Sequence, residues 1–210
     1  MTFPIHAGSL IALLLLAVPG HSSAYSVLIV GDSISAAAGL AIDEGWVHLA
    51  ELELTADMPE VEFINASISG DTSAGGLRRL PDALERFQPD LVVIELGGND
   101  GLRGYPPGEL ESNLASMAKL ASQAGAEVLL LGMMIPSNYG AAFTQKFRDA
   151  FQHAADASDS ELVPFFLEPI ADDRANFQRD GVHPTAAAQP ALVKHVMPTL
   201  RKIIESADAL

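Results

Sequence analysis

The sequence predicts one α/β domain in which a parallel five-stranded sheet carries helices on both faces. Short apolar runs alternate with longer segments of helical hydrophobic spacing along the 210 residues, and this alternation is typical of consecutive βαβ units. Several apolar runs end in Gly, Asp, Asn or Ser, the residues that favour tight turns after strands. No repeat or linker divides the chain, so we expect a single domain.

The first strand is predicted at residues 27–30, where four aliphatic side chains lead directly into Gly31, Asp32 and Ser33. A continuous apolar run bounded by a turn is typical of a parallel strand that is buried on both faces. Ligands of open α/β sheets bind in the crevice beyond the carboxyl ends of such strands. Ser33 therefore lies where a functional site is expected, and we predict that it is a nucleophile.

The later elements follow from the same patterns. Further strands are predicted at residues 61–65, 91–96, 128–132 and 162–166. Helices are predicted at residues 44–52, 74–87, 109–124, 142–155 and 186–205. In the second helix Leu77, Leu80 and Leu84 recur on one face, and Thr72 or Ser73 can cap the first turn.

Residues 1–24 form a separate segment, since they contain no Asp, Glu, Lys or Arg. The apolar block from Leu10 to Val18 is too short to span a bilayer, and Ser22 and Ala24 place small residues at −3 and −1 of a cut. We predict that residues 1–24 are a secretory signal peptide. Residues 25–210 would then be the mature domain, located in the periplasm or outside the cell and without a membrane segment. A buried N-terminal helix is the alternative.

Charge and cysteine content exclude several functions. The formal net charge is −15 and no basic run occurs, so nucleic acid is not expected as a partner, because phosphate binding needs clustered Lys and Arg. An acidic surface also disfavours docking to anionic membranes. The chain has no cysteine, which excludes a thiol nucleophile and a Cys-bound metal.

Four polar loops are expected to meet at one edge of the sheet. They are residues 31–33, 69–71, 97–100 and 180–184. In the last loop Asp180 can reach one ring nitrogen of His183 and leave the other free to face Ser33, which would activate the serine hydroxyl. Taken alone, the Asp180–His183 pair is explained equally well by an ordinary capped turn. We expect surface or packing roles for the other histidines of the mature chain, His48, His153 and His195.

Acyl transfer also needs hydrogen-bond donors directed at the developing oxyanion. Gly70 can present an unobstructed backbone N–H, Asn99 offers a side-chain amide, and the N–H of Ser33 is a third candidate. Tight strand-to-helix turns explain the neighbouring glycines, but not a Ser, an Asn and a His–Asp pair at one sheet edge. The predicted catalytic residues are Ser33, Asp180 and His183, and the predicted oxyanion hole is Ser33, Gly70 and Asn99.

These four blocks resemble the GDSL or SGNH hydrolase family, whose name gives its Ser, Gly, Asn and His. Ser33 in Gly-Asp-Ser-Ile-Ser matches the nucleophile, with Ile where the name implies Leu. Gly70 in Ser-Gly-Asp-Thr-Ser and Asn99 in Gly-Gly-Asn-Asp match the oxyanion residues. Asp180 and His183 in Asp-Gly-Val-His-Pro match the acid and the base. The runs that resemble the family's periplasmic thioesterase, protease and lysophospholipase group are residues 65–73, 97–104, 136–140 and 164–166.

The resemblance implies a flavodoxin-like three-layer α/β/α sandwich, the SGNH hydrolase fold, and hydrolysis through an acyl-serine without a metal or other cofactor. The implied substrates are small acyl esters and thioesters, including aryl esters, acyl-CoA and lysophospholipids. Basic residues are sparse, which leaves recognition of a coenzyme A phosphate open. We expect a monomer. The residues assigned to a substrate groove are Asp32, Leu102, Tyr105, Pro106, Ile135 and Tyr139, for which ordinary loop structure is the alternative.

Other functions stay open on the sequence alone. A carbohydrate O-deacetylase uses the same constellation, although one Trp and three Tyr offer little surface for sugar stacking. A non-catalytic lipid carrier could share the scaffold. A nucleotide-binding module lacks both glycine signatures, and the α/β-hydrolase fold lacks its Gly-x-Ser-x-Gly. A metal-dependent phosphoesterase would use as ligands Asp32, Asp71, Asp100, Asp180 and His183.

Overall fold

Five parallel strands form the centre of the computed structural model, which describes residues 24–207. The strands are β1 (Tyr25–Gly31), β2 (Val61–Asn65), β3 (Leu91–Glu95), β4 (Glu127–Leu131) and β5 (Glu161–Val163). Their order is β2-β1-β3-β4-β5, and all neighbouring pairs are parallel. The predicted fold class is confirmed. Apart from Ala24, the predicted signal peptide lies outside the described residues.

Helices cover both faces of this sheet. They are α1 (Trp46–Thr55), α2 (Ser73–Phe87), α3 (Gly98–Leu102), α4 (Pro107–Gln123), α5 (Ala141–Ser158) and α6 (Gln189–Ala207). The pair α1 and α6 packs together on one side, and α4 packs against both α2 and α5 on the other. No helix within residues 24–207 is both long and apolar enough to cross a bilayer.

Three details differ from the sequence-based prediction. Residues 97–100 were predicted as a polar loop, but residues 98–102 form the short helix α3 directly after β3. The strand β5 ends at Val163 rather than at 166, since Pro164 has no N–H to continue the ladder. The last helix begins with a short 3-10 turn at Ala186–Ala188, ahead of α6.

The apolar run of β1 is explained by burial on both faces, since residues 27–30 are all 0% exposed. Two aromatic pairs fill the layers beside the sheet. The rings of Trp46 and Phe166 meet edge-on with centroids 5.1 Å apart, and those of Phe147 and Phe151 do so at 5.5 Å. Contacts of this kind hold the helices on the sheet and so fix the loops that leave its edge.

The order of the strands decides where the functional loops lie. From β1 the chain first moves to β2 on one side, and it then returns to β3 on the other side. Open sheets bind ligands at such a switch point, in the crevice at the carboxyl ends of the strands. The strand β1 leads into Ser33 and β3 leads into Asn99 at the start of α3, so both residues border this crevice.

Candidate active site

A chain of hydrogen bonds joins Ser33, His183 and Asp180. Nε2 of His183 lies 2.8 Å from Oγ of Ser33, and Nδ1 lies 2.7 Å from Oδ2 of Asp180. The hydrogen bond from His183, together with the backbone N–H groups of Val182 and His183, holds the pKa of Asp180 well below its usual range. An ionised Asp180 keeps the proton of the neutral ring on Nδ1, which leaves Nε2 free to accept the proton of Ser33.

A short hairpin presents Asp180 and His183. The backbone N–H of Gln178 donates to the carbonyl of His183 at 2.8 Å. The guanidinium of Arg174 donates to the carbonyls of the three residues before Asp180, at 3.0, 2.6 and 2.8 Å. The side chain of Gln178 also donates to the carbonyl of Ala38 at 2.8 Å. These contacts tie the hairpin to the segment that follows Ser33.

Asp32 is buried behind the nucleophile. It is 2% exposed, its Oδ1 accepts from the N–H of Ile34 at 3.0 Å, and its Oδ2 accepts from Nδ2 of Asn99 at 2.9 Å. Burial raises the pKa of Asp32 to about 6. Asp32 borders the same cavity as Ser33, but both of its oxygens are engaged by the protein, so its carboxyl orients the amide of Asn99.

Three hydrogen-bond donors border the cavity beside Ser33. Within residues 24–207 the N–H groups of Ser33 and Gly70 make no hydrogen bond, and the bond to Asp32 leaves one amide hydrogen of Asn99 free. Gly70 has φ of +81°, a conformation in which a side chain would be strained. Its carbonyl accepts from Nη2 of Arg103 at 2.9 Å. The three donors can therefore serve one anionic oxygen.

Two adjacent cavities lie beside this point. The first, of about 460 Å³, is lined by Ser33, Gly70, Asn99 and His183 among others. The second, of about 300 Å³, is like the first mostly apolar and is lined in part by Met133, Met134, Ile135, Phe165, Leu167 and Phe177. Both cavities share Ile34, Gly98, Leu102 and Val182. An extended apolar group attached at Ser33 could therefore continue into the second cavity.

The residues assigned to a groove from the sequence are divided by the structure. Leu102 and Ile135 line the second cavity, whereas Tyr105 and Pro106 line neither of the two. The hydroxyl of Tyr139 donates to the carbonyl of Leu102 at 2.9 Å. Tyr139 therefore supports the cavity wall from outside.

The other histidines and several of the acids lie away from these cavities or are engaged elsewhere. Nδ1 of His48 lies 3.8 Å from Glu51, Nδ1 of His153 lies 3.1 Å from Glu111, and Nε2 of His195 lies 3.0 Å from the carbonyl of Phe165. Asp71 pairs with Arg79 at 2.8 Å, and Asp100 accepts from the hydroxyl of Ser73 at 2.5 Å. Within residues 24–207 no group of three or more His, Asp or Glu is arranged to hold a metal ion.

Sequence reasoning missed three residues that contact the site's framework: Arg174, Arg103 and Glu95. The two arginines act on backbone carbonyls, for which the sequence carries no pattern. Glu95 had an available signal, because it is a charged residue at the end of an otherwise apolar strand. It is fully buried, and a buried acid near a cleft is a candidate for function.

The comparisons with known proteins agree on one family. The sequence profile of the GDSL-like Lipase/Acylhydrolase family matches residues 29–190. Esterase TesA of Pseudomonas aeruginosa is 50% identical over 184 residues, which are 88% of this chain and 92% of that protein. Thioesterase 1/protease 1/lysophospholipase L1 of Escherichia coli K12 is 37% identical over 183 residues, 87% of this chain and 86% of that one. The crystal structure of psychrotrophic esterase EstA from Pseudoalteromonas sp., inhibited by monoethylphosphonate, has a TM-score of 0.82 at 39% identity, covering 86% of this chain and 99% of that chain.

Proposed function

Because the chain belongs to the GDSL-like lipase/acylhydrolase family, we propose that it is a serine hydrolase that cleaves acyl esters and thioesters through an acyl-serine intermediate. The observation that carries this proposal is the hydrogen-bonded chain from Ser33 through His183 to Asp180. A serine hydroxyl is a weak nucleophile until a base accepts its proton. His183 is that base here, and Asp180 orients it.

In the first half of the reaction, Oγ of Ser33 attacks the acyl carbonyl while Nε2 of His183 accepts its proton. His183 then gives this proton to the leaving oxygen or sulfur as its bond to the carbonyl carbon breaks. In the second half, water loses a proton to His183 and attacks the acyl-serine, and the proton returns to Oγ as the carboxylic acid leaves. The ionised Asp180 stabilises the imidazolium that forms twice in this cycle.

The negative charge of each tetrahedral intermediate would lie on the former carbonyl oxygen. We assign its stabilisation to the N–H groups of Ser33 and Gly70 and to the side-chain amide of Asn99. Asp32 contributes indirectly, since its Oδ2 accepts one amide hydrogen of Asn99 at 2.9 Å and so turns the other towards the cavity. We therefore assign Asp32 to orienting Asn99 rather than to binding substrate.

The acyl chain is assigned to the second cavity, the apolar one of about 300 Å³ that is lined by large aliphatic and aromatic side chains. Each methylene group that is buried in the cavity contributes about 0.8 kcal/mol to binding. The value of kcat/KM should therefore increase with acyl chain length until the cavity is full. The leaving group would extend from the other cavity into solvent, which suits aryl, thioester and lysophospholipid leaving groups alike. An acetyl group would fill only the beginning of the apolar cavity, which disfavours an acetylated sugar as the main substrate.

We also propose that the enzyme is exported. The uncharged N-terminal segment with its short apolar block supports a signal peptide over residues 1–24, and residues 25–210 would be the mature enzyme, a monomer in the periplasm or outside the cell. N-terminal sequencing of the protein from the periplasmic fraction is expected to begin at Tyr25. Recovery of the intact N-terminus there would contradict this proposal.

The test of the catalytic proposal is hydrolysis of p-nitrophenyl esters from acetate to palmitate by the wild type and by Ser33→Ala, with EDTA present. We expect turnover that depends on chain length, is indifferent to EDTA, and falls by about 10⁴-fold or more in the variant. Ser116→Ala is the matched control, because the Ser116 hydroxyl bonds only within its own helix, to the carbonyl of Ser112. Equal activity of Ser33→Ala and wild type, or loss of activity in EDTA, would contradict the proposal.

A further inference from the structure

Glu95 is a fully buried carboxyl group beside the turn that carries Ser33. It is the last residue of β3, 0% exposed, and β3 is paired with β1. Its Oε2 accepts from the hydroxyl of Ser35 at 2.7 Å, from the N–H of Ser35 at 3.2 Å and from the N–H of Asp32 at 3.3 Å. The N–H of Asp32 also donates to the backbone carbonyl of Glu95 at 3.2 Å. The carboxyl oxygen is therefore a second acceptor on the Asp32 side of Ser33 and the main support on the Ser35 side.

The hydroxyl of Ser35 extends this contact to the neighbouring helix. It donates to Glu95 and accepts from Nε1 of Trp46 at 3.1 Å. Trp46 is fully buried and its ring packs edge-on against Phe166, so it has little freedom to move. The turn that follows β1 is therefore tied to β3 and to α1, and the hydroxyl of Ser33 is left free to contact His183.

Stability of the fold does not explain an acid at this position, because a buried apolar side chain is usually at least as stabilising as a buried ionisable one. Burial, and then the negative charge of Asp32, raise the pKa of Glu95 well above its usual range. Both effects favour the neutral acid over the carboxylate. Its Oε1 is buried and has no hydrogen-bond partner within residues 24–207, so a proton on Oε1 leaves Oε2 available to its three donors.

We propose that Glu95 is a positioning residue for the nucleophile, which it serves as a neutral hydrogen-bond acceptor. By fixing the backbone at Asp32 and Ser35, it would direct Oγ of Ser33 towards His183 and the N–H of Ser33 towards the oxyanion. This inference depends on the proposed function, since it assigns a role in aligning the same serine. Alignment of Ser33 then needs the acceptor oxygen of Glu95 and does not need a negative charge on it.

Two substitutions separate the acceptor from the charge. Glu95→Gln keeps an acceptor of the same shape, whereas Glu95→Met fills the space without one. With p-nitrophenyl butyrate at neutral pH we expect Glu95→Gln to retain kcat within about threefold. We expect Glu95→Met to lower kcat about 10- to 100-fold with KM changed less than about threefold. The rate at which a p-nitrophenyl phosphonate modifies Ser33 should fall in parallel, since it reports the alignment of the nucleophile and not only the folded fraction.

Asp90→Ala is the matched control. Asp90 accepts from the N–H and the hydroxyl of Ser26, at 2.8 and 3.4 Å, in the way that Glu95 accepts from Ser35, but at the opposite edge of the sheet. We expect this variant to lose stability and keep kcat. Unchanged kcat in Glu95→Met would overturn the positioning role, and an equal loss in Glu95→Gln would overturn the neutral-acceptor role.

If Glu95→Met does not fold, Ser35→Ala tests the same contact, since it removes the shortest of the three bonds. We expect kcat of Ser35→Ala to fall about three- to tenfold, and an unchanged kcat would overturn the proposal. The wild type and Ser33→Ala are measured in the same assay. A wild type without turnover would overturn the proposed function, whereas an active wild type with indifferent Glu95 and Ser35 variants would overturn only this inference.

Discussion

Asp32→Asn is expected to make the protein more stable and less active at neutral pH. Asp32 is 2% exposed and its carboxylate accepts hydrogen bonds from Ile34 and from Asn99. Its ionised form is useful to the site because it orients the amide of Asn99, but it is unfavourable for the fold because it is buried. Substitution by the neutral isostere changes both properties at once, in opposite directions.

The size of the stability effect follows from the pKa. Burial raises the pKa of Asp32 from 3.8 to about 6, which corresponds to about 3 kcal/mol of destabilisation once the group is ionised in both states. Between these values the unfolded chain has released the proton and the folded chain still holds it. The contribution of Asp32 to the stability of the wild type therefore falls as the pH rises from about 4 through 6 and is constant above. The lost hydrogen bond to Asn99 offsets about 1 kcal/mol at either pH, so the variant should gain about 2 kcal/mol at pH 7.5 and lose up to about 1 kcal/mol at pH 4.

The activity should change in the opposite direction. The amide side chain that Asp32→Asn introduces can still accept from Ile34 through its oxygen, but it then presents an amino group to the amide of Asn99. Two donors cannot bond to each other, so Asn99 loses its fixed orientation. Loss of one oxyanion-hole donor typically lowers kcat about 10²- to 10³-fold.

The assay is urea unfolding of the wild type and Asp32→Asn at pH 4 and pH 7.5, together with kcat for p-nitrophenyl butyrate. Asp180→Asn is the control of opposite sign. The hydrogen bond from His183 lowers the pKa of Asp180, so its carboxylate stabilises the folded state above pH 4 and its removal should lower stability at both pH values. A stability difference between Asp32→Asn and wild type that does not depend on pH would show that the ionised Asp32 does not destabilise the fold.

Three further substitutions test the surroundings of the site. Arg174→Ala removes the donors to three carbonyls before Asp180 and should lower kcat about tenfold with KM unchanged, whereas Arg148→Ala, on an exposed helix face, should have no effect. Ala171→Phe narrows the apolar cavity, so the ratio of octanoate to acetate turnover should fall, by roughly fourfold for each methylene excluded. Tyr139→Phe removes the hydroxyl bond to Leu102 and should raise KM for long acyl esters about two- to fivefold while acetate turnover stays constant. Steady-state kinetics on the ester series would measure all three, and a uniform change across chain lengths in the last two would contradict the assignment of the cavity.

The parts of the structure that were predictable are those with local signals. The strands are apolar runs, and the loops at Ser33 and at Asp180 carry short motifs that a parallel topology must bring to one edge. The helix α3 was not predicted, because its glycines are typical of a turn. In the structure Gly101 is required for close packing, since a Cβ there would lie 2.5 Å from Ile135 and 2.7 Å from Phe147.

The contacts that were not predictable join distant parts of the chain through single atoms. Glu95 meets Ser35 across 60 positions in sequence, and no pattern at either residue specifies the other. Arg174 acts on carbonyl groups, which every residue possesses, so its role depends on the path of the backbone alone. Asp32 was assigned to a substrate groove, and only its 2.9 Å contact with Asn99 indicates a different use.

Two buried carboxyl groups therefore lie behind the nucleophile, and we assign them different protonation states. Asp32 needs its charge to hold Asn99, and like charges at short range disfavour a second ionisation, so a neutral Glu95 allows Asp32 to ionise. If Glu95 is neutral, Glu95→Gln does not change the pKa of Asp32. The stability difference between Asp32→Asn and its parent should then follow the same pH dependence in the Glu95→Gln background as in the wild type. If Glu95→Gln moves the pH range of this stability change to lower pH, Glu95 is charged when Asp32 titrates. The division of roles between the two acids would then be wrong.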